Sequence, residues 1–167
     1  MPARKRSQYA QKAVVLRDAS AALNGVEALQ IRLEDGTTAT FDLREVLEIP
    51  TDPDELWEAG RKAPAACAFW NYQTERALDR LRKAEERLEA EEGRQYLVYR
   101  HWYETEECVE PTEAMVRARL SQDAKIRSFR IALRARKKEY GAVRSVRDAV
   151  NHRVGMVRTL IGKSEPT

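Results

Sequence analysis

The sequence predicts a mainly α-helical protein: a long antiparallel, coiled-coil-like helical hairpin with a small N-terminal β-hairpin module. Three observations lead there. Helix-forming Ala, Glu, Arg and Leu dominate a chain of 167 residues that holds only 7 Gly and 6 Pro. From Ile126, alternating steps of three and four residues reach Phe129, Leu133, Arg136, Tyr140, Val143, Arg147, Val150, Val154, Val157 and Ile161, and all but the two arginines are apolar. Residues 26–49 instead alternate with a period of two.

Composition narrows the class further. With 43% hydrophobic and 34% charged residues, the chain is too apolar for a disordered segment and too charged for a membrane protein. Its strongest apolar run, Ala13-Val14-Val15-Leu16, is far below the ~18 residues of a membrane span. It is also too short for a signal peptide's apolar region, despite Arg4-Lys5-Arg6 before it. Two histidines leave little material for a metal site, and Cys67 and Cys108 form no Cys-x-x-Cys clip. A reducing, cytoplasmic setting follows, in a host cell's cytoplasm if the chain is phage-encoded.

Taken in order, residues 1–25 read as a basic arm with a short helix between Tyr9 and Leu23, and 26–63 as a β-hairpin plus helix module. In that module Leu29, Ile31 and Leu33 alternate before Glu34-Asp35-Gly36, and Ala39, Phe41 and Leu43 after it. A three-residue loop with Gly36 in the left-handed region puts all six on one face. A two-residue Asp-Gly loop would set Leu33 opposite Thr38 and split the set. Residues 44–49 extend the strand or make a helical turn. Asp52-Pro53-Asp54-Glu55 is a helix start, with Asp52 as cap and Pro53 in the first turn, and that helix runs to about Lys62, where Pro64 breaks or restarts it.

Residues 64–163 carry the long hairpin. Its first helix, from Ala65 to about Glu107, has a seam through Trp70, Thr74, Ala77, Leu81, Ala84, Leu88, Glu91, Gln95, Val98 and Trp102, with Gly93 as a candidate kink. Glu110-Pro111-Thr112-Glu113 separates it from the second helix, whose seam is the one from Ile126. Each arm would be roughly 60–70 Å long, which keeps Cys67 and Cys108 apart. Phe69, Trp70, Tyr72, Tyr96, Tyr103, Ile131 and Val146 add apolar surface beyond one seam, which predicts a homo-oligomer packed side by side.

Charge is segregated. Residues 1–19 carry net +4, residues 20–111 net −10 and residues 112–167 net +9, an asymmetry that suits a polyanionic partner or internal pairing. Arg127, Arg130, Arg134, Lys137 and Arg144 each follow a seam residue, with Lys138 nearby. Such a stripe either tracks a phosphate backbone or pairs with first-helix carboxylates such as Glu85, Glu86 and Glu89. The segment Arg94-Gln95-Tyr96-Leu97-Val98-Tyr99-Arg100-His101-Trp102-Tyr103 mixes aromatics with Arg94 and Arg100. It is either a set of base-stacking platforms or a hairpin-tip core with Tyr99 and Trp102 buried. No phosphate loop, nucleophile elbow or metal spacing is present, so neither an enzyme nor a cofactor is expected. The acidic 20–60 region disfavours a β-ribbon that reads duplex DNA.

Scattered residues between Ala65 and Ile161 carry a family resemblance. They are Phe69-Trp70-Asn71-Tyr72, Tyr96, Tyr99 and Arg100 in the first arm. In the second they are Pro111-Thr112-Glu113-Ala114-Met115-Val116, Asp123, Tyr140 and Asn151-His152-Arg153-Val154-Gly155-Met156-Val157. In these the chain resembles the phage recombination mediators of the UvsY type. The resemblance implies a ring-forming helical protein that binds single-stranded DNA and loads a RecA-like recombinase onto strands covered by single-strand-binding protein. It puts the family's basic patch on Arg94 and Arg100, beside aromatics where the family has more lysine or arginine. Arg94, Arg100, Tyr103, Arg127, Arg130, Arg134, Lys137 and Lys138 are thus the expected nucleic-acid contacts. Trp70, Leu81, Leu88, Trp102, Phe129, Leu133, Tyr140, Val143, Val150, Val154 and Val157 are the expected seam. The competing expectation is a structural coiled-coil protein, a virion, scaffold or adaptor component, that needs no nucleic acid.

Overall fold

The computed structural model describes residues 27–33, 36–107 and 109–164. The basic arm and short helix expected within residues 1–25 lie outside the described residues, as does Cys108. Strands β1 (Ala28–Arg32) and β2 (Thr38–Asp42) precede helices α1 (Leu43–Leu47), α2 (Pro53–Thr105), α3 (Glu113–Gln122) and α4 (Ala124–Ser164). The protein is mainly helical, and α2 and α4 pack against each other. The described residues fall into two compact units: one joins those up to Thr74 with those from Ala142, and the other lies within Glu75–Gly141.

In the first unit the hairpin has the register of the three-residue loop. Leu29 pairs with Phe41 and Ile31 with Ala39, and the Leu33 N–H donates to the Thr37 carbonyl at 2.8 Å. Gly36 has φ 84°, a left-handed conformation that glycine adopts without a Cβ penalty. The apolar face is covered, with Ile31 and Leu43 buried. Residues 43–47 form the helical turn α1, capped by an Asp42 carboxylate that accepts the Arg44 N–H at 2.8 Å. Asp52 likewise accepts the N–H groups of Asp54 and Glu55, at 2.9 and 3.2 Å, and starts α2.

Pro64 does not end that helix, contrary to the sequence expectation: α2 runs unbroken from Pro53 to Thr105. An interior proline costs about 3 kcal/mol through its missing N–H and its clash with the carbonyl four residues back. Burial on either side offsets this, because Leu56, Ala63 and Trp70 are all buried in the first unit. Gly60, the residue four back, lies so close to α4 that an added Cβ would stand 2.6 Å from Ile161 Cδ1. The ring cluster of Phe41, Phe69 and Trp70, with centroids 5.3 to 5.5 Å apart, ties β2 to α2. From α4, Val143, Val150, Val154 and Val157 are buried as expected. Between the first two, Val146 is buried where the heptad stepping puts Arg147, so Val146 belongs to the core and not to a spare apolar face.

The second unit contains a helix that sequence reasoning did not separate. Thr112 caps α3, accepting the Met115 N–H at 3.4 Å. Asp123 then breaks the chain direction and caps α4, accepting the N–H groups of Lys125 and Ile126 at 2.7 and 2.9 Å. The turn lets Val116 and Leu120 meet Ile126, and Leu88, Tyr96, Tyr99 and Tyr103 pack around these three. The inward line of α2 therefore passes through Leu88, Tyr96, Tyr99 and Tyr103, one residue later than the expected Gln95, Val98 and Trp102. Val98 is 51% exposed as a consequence. A straight helix drifts about 20° per heptad against a strict 3.5-residue step, so several heptads approach the 100° turned by one residue. Ala77 and Leu81, nearer the start of the stepping, are buried where expected, whereas Arg136 is exposed and bound to Glu139.

Gly93 sits inside α2 with nothing within 4 Å of an added Cβ. Gly93→Ala should therefore raise unfolding free energy by roughly 0.5–1 kcal/mol in urea titrations. Ile126→Ala, at a fully buried site, should lower it by about 2–5 kcal/mol.

Candidate nucleic-acid interface

Helix geometry divides the basic residues of α4 into two rows. Arg127, Arg134 and Lys138 are separated by seven and four residues, which places them within about 40° of one another on the helix surface. Arg130 and Lys137 lie to one side, toward the seam. Their partners follow that division. Arg130 forks onto Glu92 of α2 through Nε and Nη2, at 3.1 and 2.7 Å, and Lys137 Nζ reaches Glu85 at 3.5 Å. Arg127, Arg134 and Lys138 are exposed and form no ion pair among the described residues. Ile131 stands among them at 66% exposure. Arg144 belongs to the first unit and reaches Asp148 of its own helix at 3.9 Å. Both readings of the stripe thus have residues: seam-side cations pair with α2 carboxylates, and outward cations are open.

Two further contacts across the second unit do the same clamping work. Lys125 Nζ reaches Glu91 at 2.9 Å, and Arg80 reaches Glu139 at 3.1 Å. Of the three acceptors expected on α2, Glu85 has such a pair; Glu91 and Glu92 were not anticipated. Glu91 stands on the expected seam itself, where it reads as a polar insertion, and Glu92 reaches the inward line only after the one-residue shift.

The aromatic segment is largely built into the fold of this unit. The Tyr96 hydroxyl donates to Glu113 at 2.6 Å, and the Tyr99 hydroxyl donates to Asp123. Tyr103 is half-buried against the α3 cluster and meets Trp102 edge-on, with centroids 5.0 Å apart. Arg119 of α3 lies over the Trp102 ring at 4.6 Å and the Tyr99 ring at 5.8 Å, a cation–π contact invisible without α3. Arg94 and Arg100 are exposed, and each meets a carboxylate on its own helix: Glu91 at 2.6 Å and Glu104 at 3.2 Å. His101 is exposed beside them.

These contacts set the acid–base character of the unit. Hydrogen bonds from Arg94, Gln95 and Lys125 hold the Glu91 carboxyl down at about 2, from an ordinary 4.5. Tyr96 and Arg117 lower Glu113, and Tyr99 with the backbone of Ile126 lowers Asp123. The same bonds raise the Tyr96 and Tyr99 hydroxyls. Among the described residues, no group of three or more His, Cys, Asp or Glu is placed to hold a metal ion, and no helix is long and apolar enough to cross a membrane. No family model, curated protein or solved structure matches the chain.

A carboxyl lowered on folding stabilises the fold above its ordinary value and loses that contribution as pH falls through the lowered one. The difference in thermal midpoint between the parent and Glu91→Gln should therefore be full at neutral pH, begin to close below pH 4.5 and vanish near pH 2. Circular dichroism melts at stepped pH measure it.

Proposed function

We propose that the chain is a non-enzymatic single-stranded-DNA-binding protein that grips the strand along the outer row of α4. The observation that carries this is the alignment of Arg127, Arg134 and Lys138 on one exposed face without a carboxylate partner among the described residues. Along the helix axis they are spaced by about 10 Å and about 6 Å. A row of open cations attracts a polyanion and gains by releasing its counterions. A purely structural flank would hold its cations in pairs, as Arg130 and Lys137 are held.

The resemblance to UvsY-type mediators extends this reading. On it, the protein works as a homo-oligomer, a ring, that offers a single strand to a RecA-like recombinase in the presence of single-strand-binding protein. The apolar surface available for self-association is narrower than the sequence suggested. Val146 and Trp70 are buried within the fold, and Tyr96 and Tyr103 pack on the α3 cluster. Tyr72 and Ile131 remain exposed at 47% and 66%.

A second reading, the structural coiled coil, is favoured by the cross-helix pairs Arg130–Glu92, Lys137–Glu85, Lys125–Glu91 and Arg80–Glu139. Fluorescence anisotropy with a labelled oligonucleotide over a salt series separates the two. Each neutralised phosphate on a single strand contributes a slope of about −0.7 in log affinity against log salt, so Arg127→Gln/Arg134→Gln/Lys138→Gln should flatten the parent's slope by about 2. Arg130→Gln should lower the melting temperature and leave the slope near the parent's. A parent that binds no oligonucleotide at low salt, or a triple variant with unchanged affinity and slope, returns the chain to the structural reading.

A further inference from the structure

The first unit holds a groove that the DNA-binding reading does not use. Its volume is about 670 Å³, and it opens between α1, the start of α2 and Arg153 of α4. Phe41, Val46 and Phe69, all only half-buried, and the edge of Trp70 give it an apolar floor. Carboxylates ring it: Glu45, Asp54, Glu55 and Glu58. The two cations on the wall are already engaged, since Lys62 pairs with Glu58 at 3.2 Å and Arg153 Nε donates to the Glu48 carbonyl at 2.6 Å. Burial lowers the Arg153 pKa, with the nearby Glu48 opposing the shift. Glu45, Asp54 and Glu55 form no ion pair among the described residues. An apolar floor under an uncompensated acidic rim fits a segment that is both basic and apolar.

We propose that this groove seats the chain's own N-terminal arm, residues 1–26. The arm carries Arg4, Lys5, Arg6, Lys12 and Arg17 against Asp18 alone, a net of +4, and supplies Tyr9, Val14, Val15 and Leu16 as apolar anchors. Its point of attachment is fixed beside the groove. Glu27, the residue that follows it, accepts the Leu43 N–H on its carbonyl at 2.9 Å and pairs with Arg44 through its side chain. Leu29 lies opposite Phe41 of the groove floor in the strand register. The arm therefore joins the fold next to α1, two residues from Glu45. Tethering raises its local concentration at the groove to roughly millimolar, far above that of a free competitor. Lys12 and Arg17 bracket Val14, Val15 and Leu16 in the sequence and are opposite in charge to Glu45 and Glu55, their proposed partners.

Protease protection of the full-length chain tests this. Trace chymotrypsin cuts after Tyr9, and mass spectrometry follows the rate, normalised to a synthetic peptide of residues 1–25 carrying the same substitutions. The parent arm should be cut slowly. Cutting should be about fivefold or more faster in Lys12→Glu/Arg17→Glu and in Glu45→Gln/Glu55→Gln, the scale of two exposed charge pairs. Combining Lys12→Glu/Arg17→Glu with Glu45→Lys/Glu55→Lys should restore the parent rate. The arm-side variant leaves every groove residue in place, so its result stands even if a rim variant folds poorly. Equal normalised rates in the parent and in Lys12→Glu/Arg17→Glu overturn the proposal. So does protection that rises with protein concentration, which would assign the groove to the arm of a second copy.

Discussion

A helix with one apolar stripe has to cover that stripe, and the fold follows from how α2 and α4 cover theirs. Neither helix has an independent core, so the buried residues of each unit come from both of them. In the first unit, Val157 and Ile161 of α4 approach α2 at Gly60; Leu56, Ala63 and Trp70 of α2 are buried, and Phe41 of the β-hairpin packs on Trp70. In the second, two helices alone would leave Tyr96, Tyr99 and Tyr103 half-covered. The short α3 folds back to complete that core with Val116 and Leu120. Asp123 makes the arrangement possible. One carboxylate oxygen caps α4, and the other accepts the Tyr99 hydroxyl. The turn that redirects the chain is thereby bonded to the helix it packs on.

The same stripe sorts the charges. A cation next to the seam lies within reach of the facing helix, where carboxylates accept it, as in Arg130–Glu92 and Lys137–Glu85. A cation about 40–100° further round lies beyond that reach and stays exposed. Arg127, Arg134 and Lys138 are in that position because of their seven- and four-residue spacing, with no special feature of the site required. Half-exposed pairs such as these add modestly to stability, so their larger effect is to fix which face of α4 stays open.

Much of this was legible in the sequence, for reasons that particular residues make clear. The hairpin register followed from matching six apolar residues to one loop length, a constraint that a one-residue slip would violate on every pair. The Asp52 cap and the valine line of α4 were equally visible, since local chemistry and short-range period decide them. What escaped detection needed contacts distant in sequence. Pro64 looked like a break because its cost is local, whereas the burial of Ala63 and the close approach of Ile161 to Gly60 are not. The shift from Val98 to Tyr99 accumulates over several turns and cannot be read in any single heptad. Arg119 and its aromatic partners were hidden because α3 was read as part of a connector and the second arm. The split of the basic row was the least legible feature, because adjacent cations differ only in a rotation that the partner helix converts into pairing.

The placement of the aromatics constrains what a DNA-binding surface on this unit can recognise. Base stacking requires open ring faces, yet Tyr99 and Trp102 have Arg119 above them, and Tyr96 and Tyr103 lie against Val116, Leu120 and Ile126. The outward row offers three cations and the aliphatic side chain of Ile131, with no ring among them. Under the proposed function, phosphate contact is the main source of affinity on that row, and phosphate is the same at every nucleotide. Such a grip is indifferent to base sequence and sensitive to salt. It also leaves bases unstacked from the protein and free to pair or to be handed on. Under the proposed function, those properties suit a protein that holds a strand briefly for another.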